Sequence, residues 1–253
     1  MPDGAAGTAD ASQTAPMPGL STPPPPCPIA QELRPWSPAA GRAPAAGLLS
    51  PAATVLPHDN TGGNGEPGDY RQQLRTTPAG WPRRDHWCVW LEPPQQQGPA
   101  ALWDQRWWRA VTLALATWQR LLPITVVQDP AQAQVQVLRR RPPIQNRRAS
   151  HGRALLQLLL VQRQQRWELE PQVQVLISPG QAEPAIQATA LHELGHAFGL
   201  WGHSDRAGDA MAVHPNARPV LDLSPRDRAT LQWLQAQPGL EGGLDGTPAP
   251  ASR

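Results

Sequence analysis

The chain has 253 residues and a formal net charge of +2, from 22 basic and 20 acidic side chains. This length suits one domain of good size with tails, and the small net charge gives no reason to expect nucleic acid or an acidic membrane as a partner. No apolar run reaches the roughly 18 residues of a transmembrane helix, so no membrane span is expected.

The residues before position 81 are rich in Pro, Ala, Gly and Ser, with four consecutive prolines at positions 23–26. A segment of this composition has too little apolar surface to offset the entropy of ordering. Residues 1–80 are therefore predicted to be disordered or to form a pro-like extension that lies on the domain, with Tyr70 near its docking end. Residues 1–30 lack a basic start followed by an apolar core, so no secretory signal is predicted.

The two cysteines of the chain occur in different settings. Cys27 lies in the Pro-rich extension, and Cys88 lies in a predicted strand. This arrangement does not indicate a disulfide framework, and Cys27 is interpreted as an incidental cysteine.

From residue 81 the composition changes, and short apolar runs bounded by turn residues predict strands. The predicted strands cover residues 87–91, 124–127, 135–138, 154–162 and 173–177. Apolar residues at helical spacing predict helices over residues 102–122, 183–198 and 223–234. The first helix carries a stripe of tryptophans that we interpret as core packing: Trp103, Trp107 and Trp118. Residues 238–253 are predicted to form a flexible tail.

The second predicted helix carries the residue types of a catalytic zinc site. His192 and His196 are four residues apart, so their imidazoles lie on one helix face and can hold a single ion. Glu193, next to the first histidine, is placed to act as general base toward a water on the metal. Gly199 suits the left-handed residue that ends a helix, after which the chain can turn back and bring His203 to the same ion.

A bare pair of histidines at this spacing occurs by chance in many helices. Here the glycine, the third histidine and a methionine further on, Met211, all fall in place, and a pair of core histidines would not need them. The pattern therefore favours one catalytic Zn²⁺ held by His192, His196 and His203, with a fourth position left for water.

This stretch resembles the metzincin metalloproteases, whose pattern is H-E-x-x-H-x-x-G-x-x-H followed by a Met-turn. Among metzincins it is most similar to the matrixins, which place a serine after the third histidine, as Ser204 does here. Met211 follows His203 by eight residues, a spacing that matches the matrixin Met-turn. Residues 223–234 are similar to the matrixin C-terminal helix, which opens L-S-x-x-D; this similarity predicts Ser224 as the N-cap, with Asp227 in the first turn.

One departure from the family pattern lies between Gly199 and His203, where this chain has three residues and the family has two. We favour a one-residue bulge before His203, because a loop absorbs one residue at little entropic cost and Gly202 provides the backbone freedom. Two other third ligands stay open, namely Asp205 and, with less support, His214, which lies beyond the Met-turn.

The resemblance implies an α+β fold, with a mixed twisted sheet of about five strands, three helices and an active-site helix followed by the Met-turn. It implies a monomeric zinc endopeptidase domain over residues 81–237 that acts on peptides or proteins, with Met211 as a hydrophobic floor under the zinc. Residues 155–161 would form the antiparallel sheet edge that pairs with the substrate backbone. Residues 215–221 would line the pocket for the side chain after the cleaved bond. The resemblance also favours export, although no signal peptide is visible.

The resemblance also raises the question of whether the chain has further ion sites and whether a propeptide cysteine inhibits it. Matrixins often bind a structural zinc through several His and an Asp, but His151 is alone in its segment, so a second zinc is not expected. Calcium is possible but has no support in the sequence. Matrixin propeptides place a Cys thiolate on the zinc, but the residues around Cys27 do not resemble that switch. Two rival functions stay open, a zinc-binding protein that no longer cleaves and a scaffold that acts through residues 1–80.

Overall fold

The computed structural model describes residues 26–37, 56–57, 68–144, 149–214 and 217–240. Over this part of the chain the fold is α+β. The strands are β1 (Glu32–Pro35), β2 (Leu56–Pro57), β3 (Arg75–Thr76), β4 (Trp87–Leu91), β5 (Ile124–Val127), β6 (Val135–Leu138), β7 (Gly152–Arg163) and β8 (Arg166–Ile177). The helices are α1 (Ala101–Gln119), α2 (Glu183–Ala197) and α3 (Pro225–Gln235).

Six of these strands form one mixed sheet in the order β1-β7-β8-β6-β4-β5. The pairs β8–β6, β6–β4 and β4–β5 are parallel, whereas β7 pairs antiparallel with both β8 and β1. Strands β2 and β3 form a separate two-stranded sheet. Among the described residues the α+β class, the mixed sheet and the three helices agree with the prediction, and the additional strand is β1, from the region where no strand was predicted.

The sequence predicted β4, β5 and β6 at their observed bounds, because each is a short apolar run bounded by turn residues. Strands β7 and β8 are longer than predicted because they form one hairpin whose far end is polar. Gln164 and Gln165 at its tip both adopt positive φ (48° and 66°), as a tight two-residue hairpin turn requires. Strand β7 therefore extends without interruption from Gly152 to this tip.

The core between the sheet and helices α1 and α2 is built on tryptophan. Trp107 and Trp118 are fully buried, and their indole N–H groups donate to the carbonyls of Ile177 (3.2 Å) and Leu191 (3.1 Å). Core packing is confirmed for these two tryptophans, whereas Trp103 is 58% exposed. Because Trp118 bonds to the backbone of α2, helix α1 fixes the position of the helix that carries two of the histidines.

Residues 68–80 pack in this same core, on the N-terminal side of the domain boundary predicted at residue 81. Tyr70 and Leu74 are buried among its hydrophobic side chains. At the other end of the chain, Leu240 forms a β-bridge with Gly80. The folded unit therefore includes residues 68–80 and extends to residue 240, and the rest of the predicted tail lies outside the described residues.

A disulfide joins Cys27 to Cys88 on β4, with the two Cα atoms 6.0 Å apart. The prediction of no disulfide was wrong, and so was the interpretation of Cys27 as incidental. No local pattern indicates this bond, because the cysteines are 61 positions apart and belong to no known spacing motif. The bond also rules out a Cys27 thiolate on the histidine cluster in this oxidised chain, because that sulfur is already bonded to Cys88.

The segment after Cys27 continues as β1 along the outer edge of β7. Glu32 lies opposite Gln162, and Pro35 lies opposite Leu159. The expectation of an unpaired edge over residues 155–161 was therefore wrong for residues 159–161, because β1 supplies their partners. Residues 155–157 have no strand partner on that side among the described residues.

Two further expectations concern the surface of the domain. None of the helices in the described part of the chain combines the length and apolarity needed to cross a bilayer. Of the expected pocket-lining segment 215–221, residues 215 and 216 lie outside the described residues.

Candidate metal centre

Helix α2 carries two of the three candidate ligands and ends next to them. Its Pro184 lies in the first turn, where the missing N–H costs nothing, and Ala182 precedes it as an extended N-cap. The helix ends at Ala197 with Phe198 as its C-cap, and Gly199 follows with a φ of +105° that only glycine adopts without strain. Leu200 N–H then donates to the Gly195 carbonyl at 3.0 Å, which closes the helix end and turns the chain back. The predicted role of Gly199 as a left-handed helix end is confirmed.

Three imidazoles meet beside this turn. The ring centroids of His192 and His196 are 4.8 Å apart, and that of His203 is 5.2 Å and 4.9 Å from them. One ligand nitrogen from each ring lies within 4.8 Å of those of the other two. The structure therefore brings the three predicted ligands into one cluster that could hold a metal ion.

Backbone carbonyls orient the two helix imidazoles. Nδ1 of His192 lies 2.9 Å from the carbonyl oxygen of Ala210, and Nδ1 of His196 lies 2.7 Å from that of Leu200. A carbonyl oxygen only accepts hydrogen bonds, so each Nδ1 must carry the proton and each Nε2 is left with a free lone pair. This is the usual arrangement of histidines that bind metals, in which the second nitrogen is fixed by an outer partner.

The loop that contains the extra residue before His203 packs against the segment around β3. The carbonyl of Trp201 accepts from the N–H of Arg75 at 2.9 Å, and the Trp201 ring stacks on His196 with centroids 5.5 Å apart. Gly202 lies so close to the backbone that a Cβ there would be 2.2 Å from the carbonyl oxygen of Gln73. Gly202 is thus required for close approach to residues 73–75, a contact that the sequence did not reveal.

The other candidate third ligands are not part of the cluster. The Asp205 carboxylate is exposed and pairs with Arg226 at 2.9 Å. His214 is exposed and does not join the three imidazoles. The bulge interpretation, with His203 as the third imidazole, therefore agrees with the geometry.

Met211 is fully buried against helix α2. A Cβ on Gly195 would come within 2.3 Å of the Met211 sulfur, so only a glycine between the two helix histidines leaves room for this side chain. Sequence reasoning missed Gly195, although a glycine inside a helix costs about 1 kcal/mol relative to alanine and so signals a packing need. The Met211 carbonyl also accepts from Ser204 N–H at 2.7 Å, which ties this turn to the residue after His203.

Two carboxylates hold the turn that contains Met211. Asp209 accepts from the Ser204 hydroxyl (2.5 Å) and from Arg226 (2.9 Å). Asp227 is fully buried and accepts from the N–H of Ala210 at 2.8 Å. Because Ala210 also orients His192, the start of α3 is linked to the cluster through one residue.

Asp227 joins three parts of the chain. It completes a capping box with Ser224 at the start of α3, which confirms the predicted N-cap. Its other oxygen accepts from the Tyr70 hydroxyl at 2.8 Å; burial, and after it the charge of Asp227 and this hydrogen bond, raise the pKa of Tyr70. Tyr70 was the predicted docking end of the N-terminal extension, and it docks here on the residues that support the metal centre.

Glu193 lies buried at the boundary between α2 and the start of β7. Burial raises the pKa of its carboxyl to about 8, against the lowering effects of the Ala154 N–H, which donates to it, and of the Arg153 charge. A Cβ on Gly152 would be 2.6 Å from the Glu193 side chain, so the carboxyl packs directly on the strand. The arrangement places one carboxyl group beside the imidazoles and at the sheet edge.

The imidazoles are neutral at neutral pH in the metal-free protein. Burial lowers the pKa of His192 and lowers that of His196 well below its ordinary value. The pKa of His203 falls to about 4, mainly through burial and then through the charges of His192 and Arg75. A neutral ring is the form that binds a metal, so protons compete weakly for this cluster.

The donor set suits a transition-metal ion. Three imidazoles suit Zn²⁺, and they also suit Cu, Ni and Fe, whereas calcium prefers oxygen ligands. A second group of possible ligands among the described residues contains Cys27, His86 and Cys88. The two sulfurs of that group form the disulfide, so in the oxidised chain they are not metal ligands.

Comparison with known proteins adds no identification, because no family model and no curated protein matches this chain.

Proposed function

We propose that the protein is a zinc-dependent endopeptidase of the matrixin-like metzincin type. The observation that carries this proposal is the cluster of three imidazoles, together with the buried carboxyl of Glu193, which follows His192 on α2 and packs on the start of β7. A site with only a structural metal has no use for a carboxyl group held beside its ligands.

His192, His196 and His203 would hold Zn²⁺, which when bound acts as a Lewis acid and lowers the pKa of water to about 7. The Nδ1 contacts to Ala210 and Leu200 support this role, since they hold the rings before any ion arrives. Met211, buried on the other side of Gly195, would keep the floor of the site apolar.

Glu193 would act as general base and then as general acid. Burial disfavours its ionised form, and a cation nearby would lower the pKa of the carboxyl again, which favours the carboxylate that a general base needs. The carboxylate takes a proton from the attacking water and passes it to the leaving amine nitrogen. The N–H of Ala154 holds the carboxylate during both transfers.

Strand β7 would hold the substrate backbone. It starts beside Glu193, and its outer side has no partner over residues 155–157 among the described residues. An extended peptide added there gains main-chain hydrogen bonds whatever its side chains are. This edge supports a peptide or protein as substrate.

The test compares two variants on helix α2. Glu193→Gln should bind zinc as the wild type does, measured by metal analysis, and lose casein cleavage by several orders of magnitude. The control is Glu183→Gln, a half-buried position in the first turn of α2 paired with Arg109, which should keep full activity. Undiminished cleavage by Glu193→Gln would end the assignment, and zinc binding without chelator-sensitive cleavage by the wild type would point to an inactive zinc protein.

A further inference from the structure

The N-terminal segment occupies part of the same edge on which the substrate is proposed to bind. Strand β1 pairs antiparallel with β7 from Gln162 back to Leu159. Beyond it, the N–H of Trp36 donates to the carbonyl of Leu158 at 3.0 Å. From Leu158 onward the outer edge of β7 is therefore already paired with the chain itself.

The other end of the open edge is set by Glu193. Its carboxylate accepts from the N–H of Ala154, and it packs against Gly152. From Ala154 to Leu158 there are four residue steps, or about 14 Å of strand. Backbone groups alternate along a strand, so the outward carbonyl of Leu158 places the N–H and C=O of Leu156 outward too. Leu156 is the one outward-facing position between the carboxylate and β1.

Strand β1 also indicates the direction in which this edge pairs. An extended peptide that pairs antiparallel with β7, as β1 does, has its N-terminal part toward Leu158 and its C-terminal part toward Gly152. The bond to be cleaved lies near Glu193. Strand β1 therefore stands in the path of substrate residues N-terminal to that bond.

Apart from its ladder with β7, few contacts hold β1 in this place: Arg34 lies over the Trp167 ring, 4.7 Å from its centroid, and Arg163 donates to the carbonyl of Pro28 at 3.3 Å. All four of its side chains are exposed, and only the adjoining Trp36 packs partly against the core. The segment before β1 is fastened at Cys27, whose carbonyl accepts from Gln132 at 3.0 Å and whose sulfur is bonded to Cys88. A strand this short and exposed depends on its covalent anchor.

We propose that β1, anchored by the Cys27–Cys88 disulfide, is a built-in stop that limits the substrate to about four residues N-terminal to the cleaved bond. This inference rests on the proposed protease function and deepens it. The substrate is an extended peptide. It pairs with the outer edge of β7 only up to Leu158, where Trp36 is already bonded. Removing the anchor lengthens the edge by the residues that β1 now covers, Leu159 to Gln162.

The first test measures cleavage against substrate length. A proteome-derived peptide library, read by mass spectrometry, supplies one cleaved sequence, which is then synthesised with two to eight residues before the cleaved bond. In the wild type, kcat/KM should rise up to about four residues and change less than twofold from four to eight. In Cys27→Ser/Cys88→Ser it should rise at least fivefold over that second interval. A continued rise in the wild type, or the same plateau in the double variant, overturns the proposal.

A second variant guards against misfolding of the double mutant. Trp36→Pro removes the N–H that donates to Leu158 while the disulfide stays, and it should also lengthen the useful substrate. Glu32→Gln is the control, because it changes only an exposed side chain paired with Arg34 and should keep the plateau at four. A plateau at four in Trp36→Pro overturns the proposal.

A third measurement does not depend on catalysis. Hydrogen exchange of the Leu160 and Gln162 amides, whose N–H groups face β1, should be slow in the oxidised chain and should accelerate at least tenfold after reduction with dithiothreitol, which supplies two electrons and two protons to the disulfide. Unchanged exchange after reduction overturns the anchoring role. Absence of metal-dependent cleavage across the whole library is a different result, since it rejects the protease function itself and with it the substrate limit.

Discussion

The imidazole cluster is assembled in two different ways. His192 and His196 share a face of α2 through the helix repeat alone. His203 follows a three-residue loop that is held from outside, by residues 73–75 on one side and by the turn at Met211 on the other. The positions of the first two ligands thus depend on a single helix, whereas the position of the third ligand depends on segments that are distant in the sequence.

The largest expected effect comes from removing a metal ligand, whether the ligand lies on helix α2 or in the loop after it. His203→Ala and His192→Ala should each weaken zinc binding by more than the roughly 10- to 100-fold that is typical of removing an outer partner. The measurement is competition with a zinc chelator at neutral pH. His214→Ala, an exposed position outside the cluster, should bind zinc as the wild type does. If His203→Ala also kept wild-type affinity, the loop ligand would not belong to the site.

A substitution at Gly202 tests whether packing on residues 73–75 supports the loop that carries His203. A Cβ there would be 2.2 Å from the carbonyl oxygen of Gln73, so Gly202→Ala must displace backbone and should destabilise the fold by about 3 kcal/mol. The loss should appear in denaturant unfolding together with weaker zinc binding. Gly208→Ala is the matched control, because a Cβ at that position meets nothing within 4 Å. Equal stability of the two variants would contradict the close approach.

Acid should affect the metal-free protein through the same loop ligand. The pKa of His203 is about 4 in the folded chain, against about 6.5 when unfolded, so the unfolded state binds more protons between these values. The stability that His203 contributes is therefore complete above about pH 6.5 and is lost as the pH falls toward 4. Relative to His203→Gln, the chelator-treated wild type should lose about 1–3 kcal/mol over this range. If the difference in unfolding free energy between the two proteins stayed constant with pH, the burial of His203 would be contradicted.

The smallest effect is expected at the link between α3 and the cluster. Asp227→Asn keeps the size of the side chain but removes the charge that accepts from Ala210, Ser224 and Tyr70, at a cost of about 1–2 kcal/mol. Thermal unfolding measures the loss. Asp222→Asn, on the surface, should lie within about 0.5 kcal/mol of the wild type.

The same division between local and distant contacts explains what the sequence could predict. Strands β4, β5 and β6, helix α2 and the N-cap at Ser224 depend on nearby residues, and their prediction is confirmed. Strand β1 was missed because its four residues are all exposed and so show no apolar alternation. The role of Gly202 depends on a backbone that approaches from position 73, which no local pattern records.

The Cys27–Cys88 bond also bears on any maturation of the chain. If a protease cut the backbone anywhere between these two positions, the piece in front of the cut would stay covalently attached through the sulfurs. Trimming near residue 80 would therefore give a nicked, two-chain molecule that runs as one band on a gel until a reductant is added. The leading piece would be shed in two steps, hydrolysis followed by reduction, and the redox state of the surroundings would decide when it leaves.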